Sequence, residues 1–188
     1  GRIPAKEQCS TGRALGRLSD IGWGNRLRPL LAENAPDGPV PDDVLKAAVA
    51  VIADWARSPG GWAPTVPDAS ARPVGVVAVP SLTRPQLVGS LAQGIATIGR
   101  LPLLGALAYT GPGDAHPVRR SNSAQRLRAL SGSFTVPDDL AAALAGAPGP
   151  VLLVDDYTDS GWTLAVAARL LRKAGSEQVL PLVLAAAG

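Results

Sequence analysis

The chain carries three unbroken apolar runs of strand length, "VGVVAV" at 74–79, "VLLV" at 151–154 and "VLPLVLA" at 179–185. A strand with one face in water alternates apolar and polar side chains, so a run without alternation needs apolar neighbours on both faces. That demand limits the fold more than any other feature of the sequence. Between the runs lie stretches of helical spacing. Leu87, Leu91, Ile95 and Ile98 predict a helix over about 85–99, and a second helix is expected over about 162–174, ended by Gly175. "LPLLGALAY" reads as a further strand, "SGSFTV" as a short edge strand, and "DDLAAALAG" as a short helix capped by Asp138 or Asp139. Alternation of this kind predicts an α/β fold of three layers around a mostly parallel, twisted sheet.

Residues 67–188 hold that pattern. Residues 1–66 read as an N-terminal helical segment and linker, a candidate hood over the rest. "TGRALGRLSDIG" has leucines and an isoleucine at roughly helical spacing, which predicts short helices. The turn cluster "NAPDGPVPDD" offers Asp42 or Asp43 as N-cap to a helix whose face is Val44, Leu45, Ala48, Val51, Ile52 and Trp55, ending at "SPGG". Trp23, Trp55 and Trp62 in this half are each either core residues or a stacking platform.

Composition excludes several classes. Apolar residues at 46% and charged residues at 18% over 188 residues describe a globular chain with a real core. Cys9 and His116 are the only residues of their kinds, so a Cys/His zinc site and an internal disulfide are both excluded. No signal peptide opens the chain, and the apolar run near 179–187 is too short to cross a bilayer, so a cytoplasmic protein without membrane contact is expected. The chain contains no methionine, as expected of a piece of a longer polypeptide. Of 18 basic residues only Lys6, Lys46 and Lys173 are lysine, and arginine suits bidentate recognition of phosphate or carboxylate. A codon bias explains that skew equally well.

The most informative string is "VLLVDDYTDSGWTL", 151–164. In open parallel sheets ligands bind beyond the carboxyl ends of the strands, and Asp155 and Asp156 fall there. The turn Thr158-Asp159-Ser160-Gly161 leads into a helix whose first N–H groups and positive dipole end favour a phosphate. Adjacent carboxylates suit vicinal hydroxyls, or a magnesium ion with its waters. A phosphate at one end and a diol a few ångströms away describe a ribose 5-phosphate. A P-loop ATPase would need G-x-x-x-x-G-K-[ST], which is absent. A response-regulator acid pocket would follow a first strand, whereas only 32 residues follow Asp156. The plainer alternative is that the aspartates cap a loop and "TDSG" is an ordinary turn.

The same string resembles the signature of type I phosphoribosyltransferases, which bind phosphoribosyl pyrophosphate (PRPP). The resemblance implies that Asp155 and Asp156 contact the ribose hydroxyls, with magnesium nearby through water. It further implies that Thr158, Asp159, Ser160, Gly161, Trp162 and Thr163 form the 5-phosphate loop. Asp159 matches the place of a general base in purine-using members. Trp162 departs from the family, which usually has a small residue or Lys there, and either packs on the core or narrows the pocket. The similarity spans about residues 74–187. "VVAVPSLTRP" resembles the first strand and its pyrophosphate-side loop, giving Ser81, Thr83 and Arg84 a pyrophosphate role. In "AYTGPGDAHPVRRSNSAQRLR", Arg119 or Arg120 is either part of a lid over pyrophosphate or part of a solvated loop. "NSAQRLRALSGSF" resembles ComF-type members of the fold. From "GRIPAKEQCSTGRALGRLSDIGWGNRLR" onward the chain also resembles the C-terminal extension of a bacterial RecQ-family DNA helicase. That implies DNA as a partner through the attached helicase and through the basic stretch Arg13, Arg17, Arg26 and Arg28, without unwinding activity in this chain. Two functions follow: phosphoribosyl transfer to a nitrogenous base with magnesium, or a non-catalytic module that binds nucleotide, PRPP or DNA.

Overall fold

The structure is a computed structural model that describes residues 10–59, 61–62, 72–110 and 134–188. In chain order the elements are β1 (Arg13–Arg17), α1 (Trp23–Leu31), α2 (Asp42–Arg57), β2 (Gly75–Ala78), α3 (Pro85–Gly99), β3 (Leu103–Ala106), β4 (Ala108–Tyr109), β5 (Phe134–Thr135), α4 (Asp138–Gly146), β6 (Pro150–Thr158), α5 (Trp162–Lys173) and β7 (Gln178–Ala186). Five strands form one sheet in the order β1-β7-β6-β2-β3, every pair parallel. The apolar runs become its middle: β2 and most of β6 and β7 are buried.

Burial on both faces follows from helices on both faces. Leu152, Val154, Leu180 and Leu182 pack with Leu27 of α1, Val44 and Ala48 of α2 and Leu87 and Leu91 of α3. The alternate residues Val151, Leu153, Val179 and Val183 pack with Leu140 and Leu144 of α4 and Leu164, Ala167 and Leu171 of α5. The period-2 alternation of a strand thus sends one set of side chains to each helical layer. The protein is an α/β fold with a five-stranded parallel sheet between helices.

Three expectations need correction. Residues 13–17 form no helix. They are the edge strand β1, registered from Arg13 against Leu182 to Arg17 against Ala186. Gly12 makes the docking close, because a Cβ there would lie 2.8 Å from the Pro181 carbonyl oxygen. Neither α2 nor α4 is capped by an aspartate. Pro41 and Pro137 stand at the N-caps, and the acids lie within the first turns, where they complement the helix dipole. "LPLLGALAY" is also not one strand: after Ala106 the chain leaves the sheet, and β4 pairs antiparallel with β5 in a separate ribbon.

Candidate functional site

The strand order locates a crevice. From β2 the chain passes through α3 to β3 on one side, and from β6 it passes through α5 to β7 on the other. The direction of winding reverses between β2 and β6, the point in a parallel sheet where ligands bind outside the carboxyl ends. The Val79 N–H bonds to the Val154 carbonyl at 2.9 Å, so the loop after β2 and the acids after Val154 leave the sheet side by side. The loop that carries Ser81, Thr83 and Arg84 therefore starts beside Asp155 and Asp156.

Their contacts are specific. The Arg84 Nε donates to Asp156 Oδ2 at 2.6 Å, and both side chains are largely buried, 15% and 9% exposed. The Ser81 Oγ accepts the Arg84 N–H at 2.9 Å and closes that loop, while Thr83 is exposed. Asp155 is 6% exposed, and its Oδ1 accepts the Asp156 N–H at 2.8 Å. Burial first, and then the charge of Asp156, hold the Asp155 carboxyl well above the usual carboxylate range. Arg84 opposes that shift without overcoming it. Asp155 thus holds its proton to higher pH than an ordinary aspartate, and while protonated it can donate as well as accept.

Tyr109, which sequence reasoning missed, belongs to the same place. Its hydroxyl donates to the Pro80 carbonyl at 2.9 Å, and its ring lies 4.9 Å from that of Phe134. Burial, and then the charges of Asp155 and Asp156, raise its pKa above the ordinary value. Its only signal in the sequence is a tyrosine at the end of an apolar run.

Beyond the acids, Thr158 ends β6 and its Oγ1 accepts the Gly161 N–H at 3.1 Å. Asp159 and Ser160 are exposed on the turn. Gly161 stands at the N-cap of α5 with φ 72° and ψ 2°, a left-handed conformation that favours glycine. No side chain caps α5, and the N–H groups of Trp162, Thr163 and Leu164 meet no acceptor among the described residues. The first intrahelical bond comes only at Ala165, to the Gly161 carbonyl. Trp162 packs against the α5-side core, and its Nε1 is buried without a partner among the described residues.

The N-terminus of α3 differs. Its first position is Pro85, which has no N–H, and the next two N–H groups, of Gln86 and Leu87, both donate to the Asp37 carboxylate at 2.9 and 3.1 Å. Asp37 arrives from the segment before α2, about fifty residues away in sequence. Local pattern could not have found it.

The proposed roles of Arg119 and Arg120 lie outside the described residues, as does His116. Among the arginines offered as DNA contacts, Arg13 stacks over the Trp55 ring at 5.0 Å. Arg26 pairs with Asp43, and Arg28 bonds to the Leu18 carbonyl and the Asn25 side chain. A cavity of about 430 Å³ runs beside β1 and β7 and reaches Thr158 and Gly161. Another of about 320 Å³ lies between Arg13, Trp55, Trp62 and Gln178. Neither is lined by the acid pair.

For magnesium, the arrangement fits only partly. Among the described residues no three His, Cys, Asp or Glu side chains gather to hold a metal. Asp156 is engaged by Arg84 and Asp155 is buried, so the pair suits hydroxyl groups or metal-bound water better than direct chelation. No helix among the described residues is long and apolar enough to cross a membrane. No protein-family model matches the chain, and no curated protein matches its sequence.

Proposed function

We propose that the chain is a ribose-phosphate-binding domain of the phosphoribosyltransferase type, working in the cytoplasm. One observation carries the reading. At the reversal of the sheet, a single strand delivers a buried pair of acids and then, through a left-handed glycine, an uncapped helix N-terminus. The N–H groups of Trp162, Thr163 and Leu164, which meet no acceptor among the described residues, would hold a terminal phosphate, as oriented amides at a positive dipole end do. Asp155 and Asp156, one turn earlier, would take the two ring hydroxyls. The adjacent carboxyl oxygens offer acceptors to a diol, and Asp155 adds a donor whenever it holds its proton.

In a transferase, the bond from C1 to pyrophosphate would break as a base nitrogen bonds to C1, with Arg84 beside the departing charge; magnesium, held by the acids through water, would supply further positive charge. Asp159 on the turn would accept the proton of an incoming base nitrogen. The Arg84–Asp156 ion pair favours a second reading, a non-catalytic module of a larger DNA-processing protein, because the cation nearest the leaving group is already engaged.

Ligand that binds only the folded chain raises its stability by about 2.7 kcal/mol at a hundredfold excess over Kd. For 150–250 residues that corresponds to a rise in Tm of roughly 5–10 °C. Ribose 5-phosphate should give such a rise, and Gly161→Val should abolish it by closing the left-handed turn. An unchanged rise in the variant would place the ligand elsewhere.

A further inference from the structure

The two helices that flank the crevice treat an anion in opposite ways. Along the α5 side, the N–H groups of Trp162, Thr163 and Leu164 meet no acceptor among the described residues. Along the α3 side the backbone N–H groups from Arg84 to Val88 are all engaged. The Arg84 N–H goes to Ser81 Oγ, and Pro85 has no N–H to offer. Those of Gln86 and Leu87 go to Asp37, and the Val88 N–H makes the first helical bond, to the Arg84 carbonyl at 3.2 Å. The Arg84 side chain is turned to Asp156 through its Nε.

We infer that the crevice selects a ribose monophosphate, with one terminal phosphate and a free diol, over a ligand that also bears a pyrophosphate. This rests on the ribose-phosphate reading of the acids and of α5. With the phosphate on α5 and the ribose on the acids, the other end of the ligand faces Arg84 and the first turn of α3. A helix N-terminus is where a pyrophosphate would seek its donors. Here that place holds a carboxylate of the chain itself, which already takes the Gln86 and Leu87 N–H groups that a second anionic group would seek. Like charges brought together in a partly buried site oppose each other. Asp37 acts as a built-in occupant of the pyrophosphate half of the crevice. Ribose 5-phosphate and nucleoside 5′-monophosphates share the chemistry that remains.

The test is calorimetric titration of the whole chain with ribose 5-phosphate, adenosine 5′-monophosphate, and PRPP with magnesium. The expected result is that at least one monophosphate binds tenfold or more tighter than PRPP. The two monophosphate arms show whether the carrier is the sugar or the nucleotide. Asp37→Asn keeps an acceptor for the α3 amides but removes the charge, and should narrow the ratio at least fivefold through tighter PRPP binding. Tighter PRPP than monophosphate binding in the unaltered chain would overturn the inference and leave the ribose-phosphate reading standing. No binding of any of the three would overturn that reading, and the inference with it. A ratio unmoved by Asp37→Asn would overturn the assignment to Asp37. Should that variant fail to fold, the ratio in the unaltered chain still decides.

Discussion

Asp155 shows what the fold demands of a single residue. Buried beside Asp156, its carboxyl binds a proton more tightly in the folded chain than in the unfolded one. The stabilising contribution of that proton is complete below the ordinary aspartate value near 3.9, and is lost as pH rises through the raised folded value. From mild acid toward neutrality the folded chain must therefore either keep an unusual proton or bury a second charge. Asp155→Asn removes the titration yet leaves an oxygen to accept the Asp156 N–H. Its Tm should fall less than that of the unaltered chain as pH rises across this window, and it should be at least as stable at pH 7. Parallel melting curves from pH 4 to 7.5 would check this, and identical slopes would show that the proton does not sit on Asp155. At this scale the sequence was partly legible. The run from Asp155 to Gly161 announces itself by composition and by its place between strand and helix. Asp37 and Tyr109 do not, because what makes them matter is a partner far along the chain.

At the scale of elements, the buried core was the readable part. β2, α3, β6, α5 and β7 fall where continuous apolar runs and helical spacing place them, since burial on two faces leaves a signal in every residue. β1 leaves almost none. "RALGR" has one apolar pair between two arginines, and it is a strand only because an edge of β7 stands open beside it. Tertiary pairing of this sort overrides local spacing. The glycines around β1 show how tight that pairing is. Gly12→Val would drive a branched side chain into the Pro181 backbone, and overpacking of this kind costs typically 1–3 kcal/mol. A loss of that size lowers Tm by roughly 2–4 °C per kcal/mol for a chain of this length. Gly22→Ala, where an added Cβ meets nothing within 4 Å, serves as the control. Equal melting temperatures for the two variants would mean that β1 is not held against β7 as described.

For the whole molecule, the question is whether the N-terminal part is a separate unit. A boundary near residue 66 follows naturally from the Pro-, Gly- and Ser-rich stretch there, because such a composition marks linkers as readily as loops. Packing argues for a single unit. β1 is an edge of the only five-stranded sheet among the described residues, and α1 and α2 share one apolar cluster with α3, β2, β6 and β7. Without those two helices, Leu180, Leu182 and Leu184 would lose much of the cover on their face of the sheet. Neither layer can then melt alone without exposing apolar surface of the other, which is the physical basis of a cooperative transition. Leu27 in α1 tests this, being fully buried and far in sequence from the acid pair. Leu27→Ala should cost about 2–5 kcal/mol through lost burial and the cavity left behind. Calorimetry of the whole chain should show one transition moved to lower temperature, and the response to ribose 5-phosphate should survive below it. Two transitions, with only the lower one shifted by the substitution, would mean that α1 and α2 fold as a unit apart from the ribose-phosphate site.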